Sequence, residues 1–189
     1  KSIKIKNFLT KKKSTIQKKK LFNLFKSLIN DNNKILSSMN KSYKDSYTKK
    51  IILGMKNTDN VNVIGMGGST LGAKAIYNFL KPKRKFNFVD NFSNFPFKQE
   101  IRKNINLIIS KSGNTLETIS NANILIDKSR KNIFITENKK SYLMNLANEL
   151  KAEVIHHNNF IGGRYSVLSE VGMLPAELMG FKPEKFRKL

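Results

Sequence analysis

Near the start of the chain, the apolar residues follow a helical spacing. Ser14 and Gln17 form a Ser-x-x-Gln capping signal, and apolar residues then recur every three or four positions, namely Ile16, Leu21, Phe22, Phe25, Leu28 and Ile29. This spacing predicts an amphipathic helix that ends near residues 30–33. A similar spacing predicts a second helical stretch with an apolar face made of Ile35, Leu36, Met39, Tyr43 and Tyr47.

From Val61 onward, short apolar runs alternate with helical segments. The predicted strands cover 61–64, 86–89, 105–109, 133–135 and 154–155, and the predicted helices cover 71–80, 97–103, 114–128 and 142–150. Strands of this kind, each followed by a helix, are typical of a parallel sheet with both faces covered. We therefore predict an α/β fold, in which a parallel sheet sandwiched between helices as a doubly wound layer follows an N-terminal helical lead-in.

The composition limits the kind of protein. The 189 residues suffice for one domain with a core and a lead-in, and the absence of cysteine excludes disulfides and cysteine-ligated metal. The apolar runs are too short to span a bilayer and no signal-peptide pattern opens the chain, so we expect a cytoplasmic protein with no membrane partner. The chain begins at Lys1 and ends soon after a helix-like segment, so we expect it to be a piece of a longer chain.

The net charge of +23 suggests a nucleic-acid partner at first sight. However, the lysines are scattered and are not interleaved with aromatic residues, and no nucleic-acid motif accompanies them. Lys, Asn and Ile are all abundant, which is typical of codons rich in A and T. We interpret the charge as solvated lysine faces and expect no nucleic-acid partner; the alternative, a polyanion binder, would lose affinity steeply with salt.

A glycine-rich turn follows the first predicted strand, with the sequence Gly65-Met66-Gly67-Gly68-Ser69-Thr70. It resembles a dinucleotide fingerprint only loosely, because no glycine occupies the sixth place. A tight turn between strand and helix explains it equally well. Ser69, at the start of the following helix, could cap that helix or present its hydroxyl to a ligand.

A second polar turn follows the central strand, within the segment Ile108 to Thr118. Ser110, Lys111, Ser112 and Thr115 can all donate hydrogen bonds, and Gly113 lets the backbone turn or approach a ligand closely. In the same turn, Asn114 and Glu117 resemble a capping box that starts the next helix. Because a strand end that leads into a helix N-terminus is a favourable place for an anion, we predict a phosphate site here.

The third motif is Gly162-Gly163-Arg164-Tyr165-Ser166. The two glycines allow the backbone to come close to a ligand, with a guanidinium held beside it. The alternative is that Arg164 is an ordinary surface salt-bridge partner.

Together the three motifs resemble the glucose-6-phosphate isomerase family, within the sugar isomerase (SIS) fold family. The resemblance runs over about residues 61–180 and is closest at Gly65 to Ser69, Ser110 to Thr118 and Gly162 to Ser166. It implies an enzyme that interconverts an aldose and a ketose 6-phosphate and needs no cofactor and no metal. Other sugar-phosphate isomerase domains share the serine-rich loop, so a non-catalytic sugar-phosphate-binding SIS domain is the alternative.

The resemblance also implies a role for each matching residue. Arg164 would be catalytic and stabilise an enediolate intermediate, and Gly68, Gly162 and Gly163 would lie near the sugar. Five residues would hold the substrate phosphate, namely Ser69, Ser110, Lys111, Ser112 and Thr115.

The chain departs from the family pattern in its acids and bases. The family's catalytic glutamate, in a Glu-Ser-Asn-Gly segment, and its ring-opening histidine and late lysine have no counterpart here. We expect ordinary surface roles for the four remaining candidates, Glu170, Glu177, His156 and His157.

The expected organisation follows from this departure. We predict a basic helical lead-in over 1–56, a first sugar isomerase domain over 57–160, and over 161–189 the arginine segment and a helix that begin the missing second half. The isolated chain would then be inactive or nearly so, and the full-length protein would be a homodimer that binds a small sugar phosphate.

Overall fold

The computed structural model describes residues 15–31, 33–92 and 104–187. The chain divides into two compact units, Lys1–Asn33 and Lys34–Leu189, and the first holds helix α1 (Thr15–Asn30). The predicted N-terminal helix is thus confirmed, whereas its predicted cap Ser14 and the predicted helix over 97–103 lie outside the described residues. None of the described helices is both long and apolar enough to cross a membrane.

The second unit is built on a five-stranded sheet. Its strands are β1 (Asn60–Gly65), β2 (Lys85–Val89), β3 (Asn104–Ile109), β4 (Lys131–Thr136) and β5 (Glu153–His156). The strand order is β2-β1-β3-β4-β5 and every neighbouring pair is parallel. The predicted parallel α/β sheet is confirmed.

Helices cover both faces of this sheet. They are α2 (Lys49–Leu53), α3 (Gly68–Leu80), α4 (Leu116–Leu125), α5 (Tyr142–Glu149) and α6 (Glu170–Leu178), with 3₁₀ helices at Ser37–Met39, Gly163–Leu168 and Pro183–Lys185. Leu107 and Ile109 of β3 lie in the core shared with α2, α3 and α6, whereas Ile108 lies in the core shared with α4 and α5. This alternation follows from the two-residue period of a strand.

A row of asparagines crosses the α4/α5 face of the sheet. Asn62, Asn106 and Asn132 are paired in register on β1, β3 and β4, with Asn87 beside Asn62 on β2. Their side-chain amides form a continuous chain of hydrogen bonds of 3.0, 2.9 and 2.8 Å. We name it the asparagine ladder; it satisfies polar groups that would be costly if buried alone.

The predicted second helical stretch is wrong. Only the 3₁₀ helix Ser37–Met39 forms there, and the next helix, α2, begins at Lys49. The polar groups of this stretch bond to distant elements instead: the Tyr43 hydroxyl donates to Glu170, and Asp45 accepts two bonds from Arg187, of 2.6 and 2.9 Å. Tertiary contacts therefore override the local helical spacing.

The order of the strands creates a switch point between β1 and β3. From β1 the chain passes through α3 to β2 on one side, while β3, β4 and β5 follow on the other side. In open sheets of this type, ligands bind in the crevice outside the carboxyl ends of the strands at such a point. Gly65 and Ser110 lie at these two strand ends. The domain boundaries at residues 56 and 160 stay predictions.

Candidate functional site

Three hydroxyls converge in the loop after β3. Ser110 Oγ lies 2.9 Å from Thr115 Oγ1, and Ser112 Oγ lies 3.5 Å from the same atom. The backbone N–H of Gly113 donates to Ser110 Oγ at 3.2 Å, and that of Asn114 donates to Ser112 Oγ at 3.2 Å. Three of the five predicted phosphate ligands are thus gathered in one turn at the N-terminus of α4.

The predicted capping box at this helix is wrong. The N-cap of α4 is Thr115, which makes no side-chain capping bond. The Asn114 side chain instead accepts a hydrogen bond from the Tyr142 N–H (2.8 Å) at the start of α5. Asn114 therefore serves a neighbouring helix, and the first turn of α4 presents N–H groups without a side-chain cap, together with the positive end of its dipole.

Packing as well as conformation requires the glycine in this loop. Gly113 has φ +68°, and a Cβ there would lie 2.2 Å from Ser141 Oγ and 3.0 Å from Thr136 Oγ1. Its carbonyl accepts a hydrogen bond from the Leu143 N–H at 3.0 Å. The loop is thus held against the first turn of α5, which sets the positions of the hydroxyls on either side of Gly113.

Lys111 bridges this loop to the segment before the arginine motif. Its Nζ donates to the Asn159 carbonyl at 2.7 Å and lies 3.5 Å from Glu137 Oε1. Burial raises the pKa of the Glu137 carboxyl, but Lys139 and Lys111 outweigh that effect and hold this pKa below its usual range. Glu137 therefore stays ionised and neutralises part of the charge that Lys111 would offer to an anion.

The two glycine-rich motifs contact each other directly. A Cβ on Gly68 would lie 2.1 Å from the Gly163 carbonyl oxygen, so only a glycine permits this approach. The Ser166 hydroxyl donates to the Gly163 carbonyl (2.8 Å) and lies 3.3 Å from the Gly68 carbonyl. Ser69 is the second residue of α3, whose N-cap is Gly67, so Ser69 does not cap that helix.

Arg164 lies on the 3₁₀ helix Gly163–Leu168 and is exposed. Within residues 15–31, 33–92 and 104–187, no carboxylate forms an ion pair with it. The alternative of a surface salt-bridge partner therefore finds no support in the described part of the chain. A cation without a carboxylate partner, next to a contact between two glycines, is available to an anionic ligand.

One further buried hydroxyl lies close to the loop in sequence and was missed from the sequence pattern. Thr118 lies on α4, three residues after the N-cap Thr115. Only 1% of it is exposed, and its Oγ1 finds no hydrogen-bond partner among the residues that the structure describes. A buried hydroxyl without a partner is costly unless a ligand or water completes it. The three-residue spacing between Thr115 and Thr118 is the signal that could have identified Thr118.

The expected surface roles are wrong for two of the four acids and bases. Glu170 and His157 are each only 1% exposed, whereas His156 is exposed and Glu177 is partly buried. Burial lowers the pKa of the His157 imidazole, although the nearby Glu170 opposes the shift. Both buried groups make hydrogen bonds within the fold, Glu170 with the Asn158 N–H and the Tyr43 hydroxyl, and His157 through Nδ1 with the Asn158 carbonyl.

The donors gathered at this edge suit an oxygen-rich anion. Serine and threonine hydroxyls, a lysine, an arginine and a helix N-terminus all favour negative charge. Across the described ranges, no three His, Asp or Glu side chains come together as a potential metal-binding group.

Comparisons with known proteins agree on one family. The family model described as Phosphoglucose isomerase matches residues 25–189. The glucose-6-phosphate isomerase of Acholeplasma laidlawii is 37% identical over 155 residues, covering 70% of this chain and 36% of that protein. That of Methanocaldococcus jannaschii is 37% identical over 136 residues, covering 65% and 33%. The chain spans about a third of the length of these curated relatives.

Two solved structures share the fold. A hypothetical protein from Thermus thermophilus aligns with a TM-score of 0.71 at 23% identity, over 90% of this chain and 46% of that one. A glucosamine-6-phosphate deaminase from Thermotoga maritima aligns with a TM-score of 0.52 at 21% identity, over 85% and 50%. At these identities, the likeness concerns the fold alone.

Proposed function

The chain belongs to the phosphoglucose isomerase family, and on that premise we propose that the whole protein is a glucose-6-phosphate isomerase. It would interconvert glucose 6-phosphate and fructose 6-phosphate in glycolysis and gluconeogenesis. The observation that carries the proposal lies at the carboxyl ends of β1 and β3. There the first and third motifs touch through the Gly68–Gly163 contact, and the Lys111–Asn159 hydrogen bond joins the second motif to the segment just before the third.

The substrate phosphate would bind at the loop after β3. The hydroxyls of Ser110 and Ser112 each lie within 3.5 Å of the Thr115 hydroxyl, and the N-terminus of α4 adds N–H donors. Ser69 and Lys111 would contribute from the neighbouring turn and from the loop itself. Thr118, whose hydroxyl has no partner within the described part of the chain, is a sixth candidate ligand.

The sugar would lie toward the arginine segment, beside Gly68, Gly162 and Gly163. Isomerisation moves a proton between two adjacent carbons of the open-chain sugar, and the enediolate formed between the two steps carries negative charge on oxygen. A guanidinium already in place near that oxygen stabilises this charge, and losing one such donor typically costs about 3 kcal/mol. Arg164, exposed and without a carboxylate partner in the described part of the chain, is suited to this role.

The proton-transfer base would come from residues outside this chain. Glu170 and His157 are the buried acid and base closest in sequence to Arg164. Both are held in hydrogen bonds within the fold. We therefore expect this chain to bind a sugar phosphate without turning it over. A homodimeric assembly and a cytoplasmic location are further expectations from the family resemblance.

Calorimetric titration with fructose 6-phosphate tests the phosphate site. We expect Thr115→Val to weaken binding about tenfold, because one hydroxyl bond to a charged group is lost from the converging set. Ser120→Ala, which removes a hydroxyl from the same helix outside the loop, serves as the matched control and should bind like the wild type. Equal affinity of the Thr115→Val variant would contradict the phosphate assignment.

A comparison with inorganic polyphosphate separates this proposal from general polyanion binding. A sugar-phosphate site should prefer fructose 6-phosphate and show only a moderate dependence on salt. Tighter binding of polyphosphate, with an affinity that falls steeply as salt rises, would favour the polyanion alternative.

A further inference from the structure

Glu170 carries a carboxylate that is buried at the start of α6, with 1% of the residue exposed. Its Oε1 accepts a hydrogen bond from the backbone N–H of Asn158 at 2.8 Å, and its Oε2 accepts one from the Tyr43 hydroxyl at 2.8 Å. The Nδ1 of His157 lies 3.9 Å from Oε1. Burying a carboxylate costs free energy. These specific hydrogen bonds and the positive end of the α6 dipole must therefore offset that cost.

The hydrogen bond from the Asn158 N–H to Glu170 joins the two ends of a loop. Asn158 and Glu170 lie at the two ends of residues 158–170, which include Gly162, Gly163 and Arg164. We call these residues the arginine segment. At the Asn158 end, the side-chain oxygen of Asn158 accepts from the Phe160 N–H (3.0 Å), and its carbonyl accepts from the Ile161 N–H (3.2 Å). One carboxylate therefore joins both ends of the arginine segment and supports the turn that begins it.

The same turn reaches the phosphate loop. Asn159 directly follows Asn158, whose N–H donates to Glu170. The carbonyl of Asn159 accepts the hydrogen bond from Lys111 Nζ at 2.7 Å. The Lys111 ammonium is thus bonded to the 159–160 peptide, two peptide units after the one whose N–H donates to Glu170. Tyr43 holds Glu170 from the other side: burial and the Glu170 charge raise the pKa of the Tyr43 hydroxyl, so it stays a donor.

We propose that Glu170 is a positioning residue. It joins the two ends of the arginine segment and, through Asn158 and Asn159, holds Lys111 in place beside the phosphate loop. The consequence for sugar-phosphate binding rests on the proposed function. The positioning of Lys111 itself does not, and it can be measured without any ligand.

The first test is amine labelling of the ligand-free chain, followed by peptide mass spectrometry. Glu170→Ala should expose Lys111 and make it react several-fold faster, because the Asn159 carbonyl no longer holds its Nζ. Lys139, which pairs with the same Glu137, is the internal reference and should keep its rate. Glu149→Gln, which removes a negative charge from an exposed position on α5, controls for the change in net charge.

The second test measures the dissociation constant for fructose 6-phosphate. Glu170→Ala should weaken binding about tenfold, and Glu170→Gln, which keeps an acceptor for the Asn158 N–H, should recover most of that loss. In a Lys111→Ala background, Glu170→Ala should have a much smaller effect, since the two residues act in one chain of contacts. If Glu170→Ala does not fold, Glu170→Asp, whose shorter side chain cannot reach both donors, replaces it.

The outcomes separate the inference from the proposed function. An unchanged labelling rate of Lys111 in Glu170→Ala overturns the positioning role, as does a full Glu170→Ala effect on binding in the Lys111→Ala background. If labelling responds as expected but even the wild-type chain binds no fructose 6-phosphate, the positioning role stands and the proposed function fails.

Discussion

At the scale of single residues, Gly113 and Gly162 make opposite demands on the side chain at their positions. Gly113 has φ +68°, and a Cβ added there would lie 2.2 Å from Ser141 Oγ. Gly162 has φ −72°, and no atom of the described residues lies within 4 Å of its Cβ position. The first glycine is required by the structure of the chain itself. The second is tolerated there, so a requirement for it would come from a ligand or from protein outside the described residues.

Gly113→Ala should therefore lower the free energy of unfolding by about 2 kcal/mol or more, through backbone strain and the collision with Ser141. Gly162→Ala is the matched control and should stay within about 0.5 kcal/mol of the wild type, or gain slightly from reduced freedom in the unfolded chain. Urea denaturation of the two variants measures both values. Equal stabilities would contradict the packing of the loop against α5.

The buried imidazole of His157 predicts a dependence of stability on pH. Burial lowers its pKa in the folded chain, with Lys111 acting in the same direction and Glu170 and Glu137 against it. Because the unfolded value of 6.5 is higher, the unfolded chain takes up the proton first as the pH falls, and stability is lost from about pH 6.5 downward.

The slope from this one group is at most about 1.4 kcal/mol per pH unit. Thermal or urea unfolding between about pH 7.5 and 5.5 should show a weaker pH dependence in His157→Gln than in the wild type. The exposed neighbour provides the control, since His156→Gln should keep the wild-type slope. The same slope in both variants would mean that His157 is not held neutral by burial.

At the scale of elements, the asparagine ladder connects four strands through side chains. Asn106, at its centre, accepts from Asn62 and donates to Asn132 and to the Leu125 carbonyl. The bonds form only when the strands are in register, because a shift of one residue would move each asparagine to the opposite face. The ladder therefore favours the observed strand pairing over other pairings.

Asn106→Ala should lower the free energy of unfolding by about 2–4 kcal/mol, because it leaves buried amide groups of two neighbours unpaired. Asn87→Ala, at the partly buried edge of the ladder, removes a single bond and should cost about 1 kcal/mol. Denaturation midpoints of the two variants give the comparison. A loss no larger for Asn106 than for Asn87 would show that the ladder does not act as a unit.

The elements that the sequence predicted correctly are those with a clear local pattern. The apolar runs of β3 and β4 and the glycine-rich turn after β1 determined the fold class, because strand and turn signals are local. The capping role of Asn114 failed for the opposite reason: its side chain serves α5, which is 28 residues further along the chain. The stretch over residues 35–47 failed likewise, since Tyr43 and Asp45 bond to residues more than 100 positions away.

At the scale of the whole molecule, the candidate site exists because the fold joins segments that are distant in sequence. The motifs at Gly65, Ser110 and Arg164 were recognisable one by one from their residue types. Their meeting depends on the strand order and on the Gly68–Gly163 contact, which no local pattern reports. The burial of Glu170 could not be foreseen either, because an isolated glutamate early in a helix is ordinarily exposed.

An amide-shift titration of the chain with fructose 6-phosphate at moderate salt tests directly whether a sugar phosphate binds at the loop after β3. We expect saturable shifts that centre on Gly113 and Thr115 and are lost or strongly weakened in Lys111→Ala. Three results would contradict a sugar-phosphate site at the carboxyl ends of β1 and β3: shifts that do not saturate, shifts that match those from inorganic polyphosphate, or shifts that persist unchanged in Lys111→Ala. Only the assignment of the fold would then stand.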